Sequence, residues 1–323
     1  MTPDLLILAQ EGATGSAAAQ ALVTGLSLGS IYALLAMGFV IIFKATQVLN
    51  FAHGALAALG AFLVAALATI LDIPGRLFPG WPAWITWVVS LLLALVVAAL
   101  IGMALERIFI RPMVGEELFA IAIVTLGLDI VIRTILNDFI GVSARPLGNP
   151  WGIEVVDLDW VRVAHTEIAQ IAVTVALVVG IALFFRTRTG VAMRATAFDQ
   201  EAARAQGIDV GRIFSLSWGI GAMLAAVAGV FLSVHPRGPA GVSQQTPFVA
   251  FAAFPAIVLG GLDSVVGAVV GGFIIGLVQS YSSFLPWAFL GTGFGGVVPY
   301  LIMLIVLLIR PYGLFGTEEI RRV

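Results

Sequence analysis

From Trp84 to Ala104 the chain reads WITWVVSLLLALVVAALIGMA, twenty-one residues without a charge. That is about the length an α-helix needs to cross the roughly 30 Å hydrocarbon core of a bilayer. Backbone polar groups cannot stay unpaired there, so a lipid-exposed run of this kind has to be helical. The pattern recurs along the sequence. Apolar segments fall at about 20–42, 54–71, 84–104, 118–140, 167–185, 213–234, 247–262 paired with 265–284, and 293–310. This gives eight segments, or nine if 247–262 is counted alone. The sixteen residues of 247–262 cover only about 24 Å as a helix, so a short, broken or re-entrant helix is expected. Only 11% of the chain is charged, against roughly a quarter in a soluble domain. The expected fold class is all-α: a polytopic transmembrane helix bundle of about eight or nine helices, some broken or short.

Charge placement orients the bundle. Arg186, Arg188, Arg194, Arg204 and Arg212 crowd the 186–212 connection, Arg107 and Arg111 the 105–117 loop, and Arg310, Arg321 and Arg322 the C-terminal tail. The positive-inside rule puts all three in the cytoplasm. The 141–166 loop carries Glu154, Asp157, Asp159, Trp151 and Trp160 and fits the outside. The expected order is an extracytoplasmic tail (1–18), a membrane domain (19–311) and a cytoplasmic tail (312–323). With the N-terminus outside and the C-terminus inside, an odd number of crossings is required. The first residues, MTPDLLILAQ, have no basic start and only a short apolar run, so no signal peptide is expected.

Several chemistries are excluded. Net charge is −2 with no basic block, so nothing points to nucleic acid. There is no cysteine, and His53, His165 and His235 lack metal-ligand spacing. No Ser-His-Asp set or carboxylate pair suggests an enzyme, and no G-x-x-x-x-G-K-[ST] phosphate loop is present.

The charges of 186–212 surround "AFDQEAARAQGIDVGR". Asp199, Gln200 and Glu201 can start a helix over about 197–209, Ala202, Ala203 and Ala205 sustain it, and Gly207 is placed as its left-handed cap. Such a helix cannot sink into lipid with its charges. It is either a solvated linker or a docking element. Glu201, Ala202, Ala203 and Gly207 resemble the loop of ATP-binding-cassette importer permeases that receives the ATPase.

Three further stretches extend the likeness: "VLNFAHGALAALGAFL" (48–63), "AFPAIVLGGLDSVVGAVVGGFIIG" (253–276) and "RPYGLFG" (310–316). With "GVAMRATAFDQEAARAQGIDVGR" (190–212) they resemble the branched-chain amino acid ABC permease family, in its shorter type, from about residue 20 onward. The resemblance implies a bacterial inner-membrane subunit paired with a second permease. It also implies two ATPase subunits that carry ATP and magnesium, and an extracytoplasmic substrate-binding protein. No cofactor is expected on this chain. A self-sufficient ion-coupled transporter or channel is the alternative; it would use His53, Asp129 and Arg133 as a relay.

Path candidates follow from polar residues in apolar surroundings. Asn50, His53 and Gly54 interrupt two apolar runs. Asn50 or His53 could cap the next helix, whose free N–H groups would attract a carboxylate; the plainer expectation is a cytoplasmic turn. Thr125, Asp129 and Arg133 share one helical face near the middle of the fourth span, where Asp129 and Arg133 should pair. Gly260, Gly261, Gly267, Gly271, Gly272 and Gly276 include two GxxxG spacings and are expected to pack helices closely. The "GLDS" break at 261–264 resembles the one at 50–54, and "GAFL" (60–63) and "GGFI" (271–274) could echo an internal duplication. His165 and His235 are expected in solvated loops. Trp81, Trp84, Trp87 and Trp151 are expected in an interfacial belt.

Overall fold

The computed structural model of the chain describes residues 3–158, 160–238, 241–284 and 294–317. Asp159, Arg321 and Arg322 lie outside them. The elements are α1 (Pro3–Thr46), α2 (His53–Ala65), α3 (Ile73–Leu77), α4 (Ala83–Leu105), α5 (Leu118–Ile140), β1 (Val155–Asp157), β2 (Arg162–Ala164), α6 (His165–Phe184), α7 (Arg188–Phe198), α8 (Gln200–Ala205), α9 (Val210–Leu232), α10 (Val249–Gly260), α11 (Val265–Phe284) and α12 (Val298–Ile309). Among the described residues, seven helices are long and apolar enough to cross a membrane. Two more apolar helices, Thr246–Gly260 and Phe294–Ile309, are shorter. β1 and β2 form a small antiparallel hairpin, which marks one end of the bundle. The arginines of α7, α8 and their neighbours mark the other.

All the long helices are apolar, so hydrophobicity cannot decide which of them goes to the centre. Lipid is as apolar as leucine, and close approach is decided by small residues. α1 carries Gly25, Ser27, Gly29, Ser30 and Gly38, and its stretch from Ile31 to Ile42 is buried on every side. α9, rich in Gly and Ala, is likewise mostly buried. α4, α5 and α6 instead expose Leu92, Val96, Leu100, Ile130 and Val179.

The glycine spacings of α11 serve two neighbours. A Cβ on Gly272 would collide with the backbone of Ala33 in α1, and one on Gly276 with Gly29. On the adjoining face Gly267 meets Gly260, and Gly271 meets Ala256, both in α10. Gly261, at φ +102°, turns the chain between α10 and α11 against Tyr312 and Gly316. The C-terminal stretch then caps α10: Leu314 N–H donates to Leu259 O (2.8 Å) and Phe315 N–H to Gly260 O (3.2 Å). These are carbonyls that a helix end leaves without internal partners.

Replacing Gly272 with Val is expected to destabilise the purified protein by about 3 kcal/mol, the upper end of overpacking costs, because backbone must move. Gly180→Val, where the added atoms meet open space, is the control. A comparable melting temperature for both variants would refute the packing role.

Two expectations about surface residues are corrected. Trp81 and Trp84 are exposed, but Trp87 is buried and donates its indole N–H to Leu147 O at 2.9 Å. Trp151 packs between Trp87 and Phe231. An indole that finds both a hydrogen-bond partner and an edge-to-face ring contact inside is held there rather than at a headgroup. His165 opens α6 beside Glu154 (3.6 Å), whereas His235 has an unpartnered, buried Nδ1 and is not a freely solvated loop residue.

Candidate functional site

α2 does not begin where α1 ends. His53, its first residue, donates from Nε2 to the carbonyl of Leu35 at 3.0 Å. Leu35 stands eleven residues before the end of α1 at Thr46, about 16 Å along the helix axis. The stretch 47–52 therefore climbs back into the bundle. Gln47, at φ +58°, turns it. Thr125 of α5 clamps it, accepting from Phe51 N–H (3.2 Å) and donating to Leu49 O (2.8 Å). The expected cytoplasmic turn is thus corrected: Asn50 is 1% exposed and His53 2%. Neither caps α2 either. Its N-cap is Ala52 and no side chain satisfies the first turn.

α10 likewise starts part-way through the bundle, after a 3-10 turn (Thr246–Phe248), and it too lacks a side-chain cap. Gly54 lets the two half-helices meet: a Cβ there would strike the Pro247 carbonyl. Where they meet lies a cavity of about 130 Å³. Apolar Leu35, Phe39, Phe254 and Ile257 line it together with Asn50, His53 and Asp129. This is close to the size of engineered 150 Å³ cavities that hold benzene. Asn50 has no hydrogen-bond partner for either amide atom, and His53 Nδ1 has none. The Leu35 carbonyl can only accept, so Nε2 carries the hydrogen and Nδ1 is a free acceptor. Unpaired buried polar groups are costly, and here they face a cavity against two uncapped helix starts.

Asp129 and Arg133 form the expected pair at 2.8 Å. Arg133 also lies over the Phe248 ring, 5.1 Å from its centroid. The structure thus gathers Asn50, His53, Gly54, Thr125, Asp129 and Arg133 around one place, with Thr125 holding the loop and Arg133 flanking the cavity. Pro247, Phe254 and the α10 start were not singled out in the sequence, where they read as ordinary apolar residues.

At the arginine-rich end the helix begins at Asp199 and ends before Gly207 as expected, but a separate helix, α7, precedes it. α7 ends at Phe198, and Asp199 caps α8 by accepting from Glu201 and Ala202 N–H, both at 2.9 Å. Asp199 stops one helix and starts the next because its carboxylate competes for backbone N–H groups. Gly207 has the expected left-handed conformation, φ +80°. Ala203 is not a surface residue: it is buried against Val210 and Phe214 and seats α8 on α9. Glu201, Ala202 and Arg204 remain exposed, beside a Phe198 that is 95% exposed.

A further cluster ties this loop to α4. Past Leu105, α4 passes into a π-turn (Glu106–Ile110). The fully buried Glu106 takes a bidentate pair from Arg111 (3.0 and 2.9 Å) and a hydrogen bond from Ser215 of α9 (2.5 Å). Arg111 also donates to Gly211 O at 2.6 Å. A five-residue separation is not an α-helical pair; the π-turn brings it onto one face.

A multi-pass helical bundle whose half-helices meet at a largely apolar cavity edged by Asn50, His53 and Asp129 belongs among membrane transport proteins. Residues 21–307 match the family model described as "Branched-chain amino acid transport system / permease component". The high-affinity branched-chain amino acid transport system permease protein LivH of Escherichia coli is 30% identical over 319 residues, covering 94% of this chain and 97% of that protein. The corresponding permease protein BraD of Pseudomonas aeruginosa is 30% identical over 310 residues, with the same coverage. A probable LivH of the archaeon Methanocaldococcus jannaschii is 28% identical over 298 residues, covering 90% of each. The chain belongs to the branched-chain amino acid transport permease family.

Proposed function

We propose that this chain is the translocating subunit of an ATP-driven importer of branched-chain or other hydrophobic amino acids. The observation that carries this reading is the continuous path from an exposed docking face to the cavity. α7 and α8 present Phe198, Glu201, Ala202 and Arg204, and α8 is seated through Ala203 on α9. α9 in turn packs along α1, α2 and α4. Movement imposed on α8 is thereby delivered to the helix that opens at the cavity. ATP and magnesium would be handled by two partner ATPases, and hydrolysis would not occur on this chain.

The Asp129–Arg133 pair supports a second permease. It lies near the middle of α5 with side chains 12% and 28% exposed. Lipid does not solvate charges at that depth, so another subunit or an aqueous path has to cover them. The arginine-rich end would face the cytoplasm of a bacterial cell, with the N-terminus outside and the C-terminus inside. An extracytoplasmic binding protein would deliver substrate at the hairpin end.

The test is co-purification of the ATPase subunits with wild type and with a Phe198→Ala, Glu201→Arg variant. Both side chains are exposed, so folding and membrane insertion should be unchanged. Loss of an interface anchor costs about 2 kcal/mol or more, roughly thirtyfold in affinity, and the variant should lose its ATPases on washing. Equal retention by both proteins would argue against this docking face. A wild-type chain that takes up leucine on an ion gradient alone would favour the ion-coupled alternative.

A further inference from the structure

At the hairpin end a cavity of about 700 Å³ opens between α1, α6, the hairpin and the chain after α9. Two opposite charges, Arg237 and Glu167, line it. They interact electrostatically yet do not form one of the ion pairs found among the described residues. Each is held separately. Arg237 donates from Nη2 to Thr24 O (2.8 Å), and its Nε is buried without a partner. Glu167 accepts from Ala164 N–H with one oxygen (3.2 Å). Burial lowers the guanidinium pKa, and the nearby charge of Glu167 opposes that shift. The two charges thus line one cavity without forming an ion pair with each other.

The same cavity shares walls with the central one. On α1, Thr24, Leu28 and Tyr32 face the outer cavity, and Leu35 and Phe39 face the inner. These positions repeat every three or four residues and so form one stripe. Phe248 and Val249 belong to the outer wall, and Pro247 and Ala250 to the inner. One turn of chain separates the two.

We propose that the outer cavity is a zwitterion-selective entry site. Arg237 takes the α-carboxylate and Glu167 the α-ammonium of an amino acid before it passes the 247–250 turn. This rests on the transport reading above and extends it to the chemistry that admits a substrate. A compound lacking either charge leaves a partly desolvated protein charge unpaired, a penalty a full zwitterion avoids.

The chain has no cysteine, so Gln245→Cys places a unique thiol in this chain at the cavity rim, where Gln245 is exposed. The assembled complex is labelled with a negatively charged thiosulfonate reagent and the rate is followed on this subunit. L-Leucine is expected to slow labelling by about tenfold when present at roughly ten times its Kd. Leucine amide and 4-methylpentanoate, each missing one charge, are expected to protect far less. Arg237→Gln and Glu167→Gln should abolish leucine protection; the amide of Glu167→Gln can still accept from Ala164. Arg237→Lys and Glu167→Asp should restore part of it, which a packing role would not do. No slowing by leucine, equal protection by all three compounds, or undiminished protection in both neutral variants would overturn the entry site. ATP-driven leucine uptake, measured in parallel on the wild-type complex, tests the transport reading separately: it can persist while the labelling result fails.

Discussion

Gly54→Val is expected to stop transport while leaving membrane insertion and ATPase binding intact. The new side chain would meet the Pro247 carbonyl, which is backbone and has no rotamer by which to yield. The start of α2 and the start of α10 would be forced apart, and the cavity between them would lose its shape. Displacements of about an ångström at a functional site cost on the order of a hundredfold in rate. Uptake by the assembled complex in lipid vesicles, with the ATPase activity of the same preparation, checks this. Gly127→Val is the control, because nothing lies within 4 Å of the added carbon there. Normal uptake by Gly54→Val would remove the mid-depth cavity from the translocation path.

Arg111→Ala has the largest expected effect on stability. It strands the Glu106 carboxylate, which has no solvent exposure, with Ser215 as its remaining side-chain partner. Breaking a buried pair from one side costs about 3–5 kcal/mol. Glu106→Ala should cost less, about 2 kcal/mol, because Arg111 is 36% exposed and can turn to water. The double variant Glu106→Leu, Arg111→Met should recover much of the loss. Melting temperatures of the purified proteins read all three. If Arg111→Ala and Glu106→Ala melt alike at the wild-type temperature, the cluster does not hold α4 to α9. The same contacts lie just past the docking loop, so the variants should also weaken the dependence of ATP hydrolysis on substrate.

The membrane-spanning architecture was legible because hydrocarbon leaves the backbone so few options. Runs such as 84–104 and 118–140 locate helices almost by length alone, and the α11 glycines announce close packing because only small residues permit it. The Asp129–Arg133 pair was legible for the same reason: two charges at that depth, one turn apart, have little else to do. Depth was not. Nothing in "TQVLNFAHG" says that the chain climbs back beside Leu35 before α2 begins, since a surface turn and a re-entrant loop use the same residues. The difference lies in Thr125, seventy-five positions after Asn50. Glu106 was missed because its partner is five residues away, a spacing meaningful only once a π-turn exists. The helix start at Asp199 was legible because Asp accepts from the first free N–H groups, whereas nothing in 188–198 announced that α7 would end against it.

The capping of α10 by the C-terminal stretch bears on how the protein is made. α10 has twelve residues, too few to hold a transmembrane position as a free segment leaving the translocon. Its last carbonyls are satisfied by Leu314 and Phe315, which the ribosome adds more than fifty residues later. α10 is therefore expected to reach its final position only after α12 and the stretch 310–317 have been synthesised.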